Sequence, residues 1–275
     1  MTPEFTGGGD PARSVALLWR DSEQRPARGR KPTLTVDAIV AAAVEMADEA
    51  GLGALSMRAL AERLKVGTMS LYTHVPGKAE LIDLMLDTVL RETARPDDLP
   101  DGWRARLELV ARENLALIHR HPWMLEIVTF RPPMGPGVIA KYDLELRALE
   151  GIGLTDVEMD SVLTLVLGYV QSSARQALEA TLVEQRTGLT DDEWWSAQAP
   201  LLDQVIDPDR FPVATRVGTA ATEAYRGLWD PDHTFEFGLQ RVLDGIEALV
   251  GARRAGGSRA RTAGSSRRTA RRRPR

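Results

Sequence analysis

Residues 68–78 carry side chains that suit binding better than they suit a hydrophobic core. Hydroxyl, phenol, imidazole and ammonium groups lie close together here, on Thr68, Ser70, Tyr72, Thr73, His74 and Lys78. Such groups hydrogen-bond to base edges and phosphates, and the methyl groups of Met69 and of the threonines can contact thymine methyl groups. Only Leu71 and Val75 are clear core anchors. We therefore expect a short helix that is held by its neighbours and shows its other face to a partner.

The flanking residues predict the helices that must position this segment. A first helix is expected from an N-cap at Thr35 to Gly51, and a second from an N-cap at Ser56 to about Lys65. Gly67 permits a tight turn into the third helix, which is expected to run from Thr68 to His74. Pro76 and Gly77 end it, and a fourth helix should follow over residues 78–93. Two short helices around a glycine-containing turn predict a helix-turn-helix.

The rest of the chain also has helical periodicity, and alternation typical of strands is absent from the sequence. Further helices are expected over residues 102–120, 122–130, 137–150, 155–186, 190–205, 211–227 and 234–251. The helices at 155–186 and 234–251 are apolar on more than one face, so each should be buried on more than one side. Two such helices per chain can build a four-helix interface in a symmetric homodimer.

Residues 35–93 resemble the DNA-binding head of the tetracycline-repressor family, most recognisably in the run Leu71-Tyr72-x-His74-Val75-x-x-Lys78. The resemblance implies that Arg58, at the start of the second helix, contacts DNA. It also implies that Tyr72 and Lys78 hold the phosphate backbone. The residues that would face the major groove are Gly67, Thr68, Met69, Ser70, Thr73 and His74. A place in the wall of the head core is the alternative for Tyr72, and a solvated position is the alternative for Lys78.

Residues 102–251 resemble, more loosely, the ligand-sensing domain that accompanies this head, above all in the final stretch from Phe235 to Leu249. The implied fold is all-α, with a three-helix head joined by a long fourth helix to a helical-bundle C-terminal domain. We expect a flexible basic arm over 1–34, the DNA-binding domain over 35–95 and the sensing and dimerisation domain over 101–251. A disordered arginine-rich tail is expected over 252–275.

Aromatic residues in the body are candidates for lining a ligand pocket. Those singled out are Trp123, Phe130, Tyr169 and Trp195, with Arg175 as the candidate for a polar ligand group. Plain core packing is the alternative for each aromatic residue. A salt bridge in the dimer is the alternative for Arg175.

Motifs for catalysis, metals and cofactors are absent from the sequence. It lacks cysteine, and it contains no G-x-S-x-G, H-E-x-x-H, P-loop or dinucleotide-binding glycine pattern. His119 and His121 invite a metal interpretation with Glu126, but two residues that are two apart on a helix do not share a face. We therefore expect no enzyme activity, metal site or cofactor.

The charge of the chain is distributed unevenly. Ten arginines and no acidic residue lie in 251–275, whereas residues 94–250 hold 14 basic and 26 acidic side chains. The tail can therefore attract DNA without sequence preference, and Arg28, Arg30 and Lys31 can reach the minor groove from the N-terminal arm. The sequence shows no basic region followed by an apolar run and no stretch long enough to span a bilayer. A cytoplasmic protein without membrane contact is expected.

Together these observations predict a sequence-specific DNA-binding regulator. By the family resemblance it is a repressor that a small-molecule inducer releases from a palindromic operator. Two alternatives stay open. The first is an architectural DNA-binding protein driven by the arginine-rich tail, and the second is a helical enzyme.

Overall fold

The computed structural model describes residues 4–20, 34–93, 99–129, 131–225 and 227–270, the last of these with side chains to residue 255. The fold is all-α, as the sequence predicts. The helices are α1 (Pro11–Leu18), α2 (Val36–Ala50), α3 (Met57–Leu64), α4 (Thr68–Tyr72), α5 (Lys78–Val89), α6 (Trp103–Arg120), α7 (Pro136–Leu146), α8 (Asp156–Thr187), α9 (Asp191–Leu202), α10 (Pro212–Tyr225) and α11 (Pro231–Ala270). Two short strands, β1 (Glu4–Phe5) and β2 (Ile127–Val128), pair in parallel.

Helices α2 to α5 form the head, and their boundaries follow from local chemistry. The Thr35 hydroxyl oxygen accepts a hydrogen bond from the Ala38 N–H, and Ser56 does the same for Ala59 at the start of α3. The turn after α3 differs in detail from the expectation. Lys65, not Gly67, adopts the left-handed conformation, with a φ of 56°, and its N–H closes the helix on the carbonyls of Ala61 and Glu62.

The body is a bundle of α6, α7, α8 and α11. Its core contains fully buried aliphatic residues such as Leu107, Val166 and Leu243. Helix α8 begins with a capping box between Thr155 and Glu158. Beyond Ala174 no further residue of α8 is buried, and α9 and α10 have no buried residue among those described.

The sequence analysis predicted a helix over residues 122–130, and this prediction is wrong. The segment forms a 3₁₀ turn over Pro122–Glu126 and then β2, while Phe130 lies outside the described residues. Strand β2 pairs with β1 in the register Glu4↔Ile127 and Phe5↔Val128. A strand of two residues is too short to show the alternation by which a sequence reveals a strand.

Residues 4–20, here called the N-terminal strap, also differ from the expectation. The sequence analysis placed them in a flexible arm, whereas they form β1 and α1. The apolar stretch around Leu18 forms α1, and Leu18 is buried in the head core. Asp10 caps this helix by accepting from the Arg13 N–H. The basic residues Arg28, Arg30 and Lys31 lie outside the described part of the chain.

The arginine-rich tail is helical as far as Ala270, where the sequence analysis expected a disordered segment. Helix α11 continues to Ala270, through a stretch rich in alanine and arginine, which have high helix propensity. Arg253 forms an ion pair with Glu158, and together with the Thr155 N–H it lowers the pKa of Glu158 to about 2. Residues 271–275 lie outside the described part.

Helix α5 joins the head to the body and is buried along most of its length. Two of its carboxylates accept backbone N–H groups from outside the head: Asp83 from Gly7 at 3.0 Å and Asp87 from Val138 at 3.0 Å. The pKa of Asp83 is raised above its usual value, because the effect of burial exceeds the opposing effect of the Gly7 hydrogen bond. A Cβ at Gly137 would lie 2.0 Å from the Asp87 carbonyl oxygen, so glycine allows α7 to approach α5 closely.

A polar network around the buried side chain of His121 joins the head to the body at a second place. The Nδ1 atom of His121 lies 2.8 Å from Asp48 Oδ1 in α2, and its Nε2 atom lies 3.0 Å from Glu92 Oε2, just after α5. Trp123 donates from Nε1 to the same Asp48 oxygen at 2.7 Å. One body histidine therefore contacts two head carboxylates, and Arg120 is a second partner of Glu92.

We predict that His121→Ala destabilises the protein by about 1–3 kcal/mol, because it removes a buried imidazole together with its hydrogen bonds to two charged carboxylates. The measurement is denaturant unfolding. His119→Ala is the matched control, since His119 is exposed on the same helix end, and it should change the free energy of unfolding by less than about 0.5 kcal/mol. Equal effects of the two substitutions would contradict a structural role for the network.

Candidate DNA-binding surface and ligand cavity

Helix α4 presents a polar face because two apolar residues hold it against the head. Leu71 and Val75 are completely buried, whereas the Met69 side chain is 76% exposed and Tyr72 is 43% exposed. Tyr72 thus points outward, not into the head core. Thr73 donates its hydroxyl hydrogen to the Ser70 carbonyl at 2.7 Å, which fixes the end of the helix.

The structure brings the predicted DNA-contacting residues together on this side of the head. Gly67, Met69, Ser70, Tyr72, Thr73 and Arg58 are exposed, and Thr68, His74 and Lys78 are half-buried. The residues from 67 to 78 follow one another through α4 into the first turn of α5. This surface offers hydroxyls, amides and ring groups at the level of one short helix, which is the arrangement that a helix-turn-helix presents to the major groove.

Both basic side chains of this surface have acidic partners. Arg58 Nε lies 3.0 Å from Glu62 Oε1 on the exposed face of α3. Lys78 Nζ lies 2.7 Å from Glu4 Oε1 of the N-terminal strap, and both side chains are partly exposed. Lys78 is therefore not simply a solvated lysine at the start of a helix.

A cavity of about 170 Å³ lies in the body beside the C-terminal end of α5. Its walls come from α5, α6, α7, α8 and the segment after the 3₁₀ turn. The lining residues are Leu86, Leu90, Asn114, Ile118, Met124, Leu125, Thr129, Pro132, Lys141, Leu167, Val170 and Gln171. Leu86 belongs to α5, the helix that carries Lys78, and Leu90 directly follows its last residue, so a molecule in the cavity would contact the element that begins at the DNA-binding surface.

The polar end of this cavity contains a buried ion pair. Lys141 Nζ contacts Glu145 Oε1, and the same carboxylate oxygen accepts from Asn114 Nδ2 at 2.6 Å. The Lys141 and Glu145 side chains are only 8% and 6% exposed. Lys141 also lines the cavity, and an ammonium group has three donor hydrogens, so it can donate to a bound molecule as well as to Glu145.

The residues predicted to bind a ligand make contacts with other parts of the protein. Trp123 packs in the head core, Tyr169 donates to the carbonyl oxygens of Thr234 and Phe235, and Arg175 donates to the Leu125 carbonyl. Trp195 lies on α9 beside Trp194. None of these four residues is among those that line the 170 Å³ cavity. Trp123 is fully buried, whereas Arg175 is exposed and Trp195 lies on α9, where none of the described residues is buried.

Sequence reasoning missed Lys141, Glu145 and Asn114. A lysine and a glutamate four residues apart on a helix are typical of an exposed ion pair, which is a common and weak surface feature. The signal that separates this pair from an exposed one is the apolar surroundings of α7, and that context becomes clear only when α5 and α6 pack against it.

Two of the three residues considered for a metal site, His121 and Glu126, have other partners. His121 binds Asp48 and Glu92, and Glu126 Oε1 accepts from the Leu52 N–H at 3.2 Å. Within the described ranges, no group of three or more His, Asp or Glu side chains is arranged to hold a metal ion. In the same ranges, none of the helices combines the length and apolarity that crossing a membrane requires.

A larger cavity of about 540 Å³ lies between α1, α2, α5 and the start of α7. Its charged groups already form pairs with each other, namely Arg20 with Asp37 and Arg91 with Asp87. Such paired groups offer little to a ligand, so size alone does not make this the sensing site. The smaller cavity combines apolar walls with the ammonium group of Lys141.

A helix-turn-helix head that shares α5 with a cavity-containing helical body defines a DNA-binding transcriptional regulator rather than an enzyme. The comparison with known families gives the particular class. The chain belongs to the tetR family of bacterial regulatory proteins: residues 39–85 match the family described as "Bacterial regulatory proteins, tetR family". Residues 95–250 match "Tetracyclin repressor-like, C-terminal domain".

Individual relatives agree with this assignment. The HTH-type transcriptional repressor DrrR1 of Streptomyces coeruleorubidus is 50% identical over 252 residues, which cover 91% of each chain. Among solved structures, apo ActR from Streptomyces coelicolor has a TM-score of 0.65 at 28% identity, covering 81% of this chain and 99% of ActR. ActR in complex with actinorhodin has a TM-score of 0.66 at 29% identity, covering 79% and 97%.

Proposed function

We propose that the protein is a homodimeric cytoplasmic repressor that binds a palindromic operator through α4 and leaves it when a small molecule occupies the body cavity. The observation that carries this proposal is the position of α5. One end of this helix supplies Lys78 to the polar surface of α4, and the other end supplies Leu86 to the cavity wall, with Leu90 directly after it. A single rigid helix therefore connects a ligand site to a DNA surface, which is the physical requirement for coupling between two sites.

On DNA, we propose that α4 enters the major groove. Met69, Ser70 and Thr73 would contact base edges from its exposed face, with Gly67, Thr68 and His74 beside them. Tyr72 and Lys78 would bind phosphates on one flank, and Arg58 at the start of α3 would contact the DNA on another side. A symmetric dimer would place two such helices on two half-sites, so a palindromic operator is expected.

Tyr72→Ala should weaken binding to DNA from upstream of the protein's own gene by about five- to tenfold, because the phenol loses a phosphate hydrogen bond. Fluorescence anisotropy measures this effect. Tyr142→Ala is a matched control, since Tyr142 is also 43% exposed but lies on α7 in the body. The Tyr72 variant should elute as the same oligomer as the wild type. Unchanged affinity, or loss of the dimer, would contradict the assignment.

The dimer surface is proposed to include the outer faces of α8 and α11. Leu165 on α8 and Phe237 on α11 are 53% and 58% exposed in the single chain. Large apolar residues on two long helices are costly to leave in water, and a second copy of the chain would cover them as part of a four-helix interface. Leu243, by contrast, is completely buried within one chain.

The two leucines give opposite predictions. Leu165→Glu should produce a folded monomer, because it places a charge in the proposed interface, whereas Leu243→Glu should unfold the body. Light scattering measures the mass, and circular dichroism measures the helix content. A Leu165→Glu variant that stays a dimer would show that this face of α8 lies outside the interface.

The ligand is proposed to be a mostly apolar molecule with an acceptor oxygen, such as a carboxylate, phenolate or carbonyl group. The seven Leu, Ile, Met and Val side chains of the cavity wall favour an apolar body. Lys141 places a buried ammonium group in the cavity wall, and this group would donate a charge-assisted hydrogen bond to an oxygen acceptor of the ligand. ActR, which has a similar fold, has been solved in complex with actinorhodin, and this supports a small-molecule ligand for the present chain.

Naphthoate and methylnaphthalene test this ligand class, because they share an apolar ring system and differ in the carboxylate. Calorimetry should detect naphthoate binding that is at least about tenfold tighter, as expected for a charge-assisted hydrogen bond. The double variant Lys141→Met/Glu145→Gln removes the ammonium without leaving an unpaired buried carboxylate, and it should abolish the preference. A preference that persists in this variant would place the acceptor site elsewhere.

A further inference from the structure

The N-terminal strap connects the cavity side of the body to the DNA-binding surface by a route separate from α5. It runs from β1, which pairs with β2, across the side of α5 and into α1. The segment after β2 contributes Thr129 and Pro132 to the cavity wall. The strap therefore begins beside the cavity loop and contacts the helix that carries Lys78.

The strap is held by its backbone and by Thr6, not by its exposed charges. Thr6 is buried, and its N–H donates to the Val128 carbonyl at 3.3 Å. The Thr6 hydroxyl donates to the Arg131 carbonyl at 2.7 Å, and the Gly7 N–H donates to Asp83 Oδ1 at 3.0 Å. Trp19 at the other end donates from Nε1 to the Met134 carbonyl at 2.8 Å. These anchors do not involve the Glu4 side chain, so they would hold Glu4 close to Lys78 whether Lys78 pairs with Glu4 or with another anion.

We infer that Glu4 is a built-in competitor of the operator phosphate for Lys78, held in place by the N-terminal strap. In the free protein the Glu4 carboxylate lies 2.7 Å from the Lys78 ammonium. DNA binding then exchanges one anion for another on the same lysine, so the strap lowers the affinity of the head for DNA. This inference rests on the phosphate-binding role proposed above for Lys78.

The alternative is that Glu4 positions Lys78 and so helps DNA binding. Electrostatics argues against it. A phosphate on the same ammonium would lie within a few ångströms of the carboxylate, where like charges repel even in partly solvated surroundings. Because the anchored strap keeps Glu4 at a high effective concentration near Lys78, the carboxylate cannot simply diffuse away when DNA arrives. The sign of the effect on affinity distinguishes the two roles.

The test is an anisotropy titration of the full chain against the duplex from upstream of its own gene. Glu4→Gln should bind this DNA about two- to fivefold more tightly than the wild type, the range expected for loss of a partly exposed ion-pair partner. In a Lys78→Met background the same substitution should have no effect. Thr6→Val, which removes the anchoring hydroxyl, should also tighten binding, and only while Glu4 is present.

Glu45→Gln is the control for the general loss of a negative charge on the head. Glu45 is exposed and pairs with Arg63, which keeps Glu49 as a second partner. The inference would be overturned if the Glu4→Gln variant bound the DNA no more tightly than the wild type. It would also be overturned if Glu4→Gln tightened binding in the Lys78→Met background. If Lys78→Met alone binds as tightly as the wild type, the proposed phosphate contact is wrong. If Lys78→Met is weak and Glu4→Gln is unchanged, only the competing role of the strap is wrong.

Discussion

The burial of α5 on all sides is the constraint on which the rest of the structure depends. Head helices cover one side, the N-terminal strap another and α7 a third, so this helix cannot shift without changing contacts in both domains. Its buried carboxylates, Asp83 and Asp87, accept N–H groups from the strap and from α7. A buried acceptor that loses its donor costs free energy, which favours movement of α5 together with these neighbours over sliding past them.

This arrangement explains how a small cavity can influence a distant surface. The cavity is bordered by α5 and by the loop that follows β2, and each leads to Lys78, one through the helix and the other through the strap. The His121 network adds a third link, because Asp48 and Glu92 of the head share one histidine of the body. Close-packed elements with discrete hydrogen bonds transmit displacement better than a flexible linker does.

The sequence predicted the head well and the junction poorly, for physical reasons. Local signals determine the head: Thr35 and Ser56 cap helices, and Leu71 and Val75 reveal the buried side of α4. The junction depends on contacts between residues far apart in the chain, such as Thr6 with Arg131 or Lys141 with Asn114 through Glu145. Nothing in the sequence near Glu4 indicates that its partner is Lys78, and a two-residue strand has no periodicity to detect.

The most direct test of the account is the preference of the purified protein for DNA from upstream of its own gene over a scrambled duplex, measured by anisotropy at two salt concentrations. The account predicts a large preference that survives higher salt, because base contacts from α4 carry specificity while phosphate contacts carry most of the salt dependence. Equal and steeply salt-sensitive binding to both duplexes would contradict it and would favour a non-specific interaction driven by the arginine-rich tail.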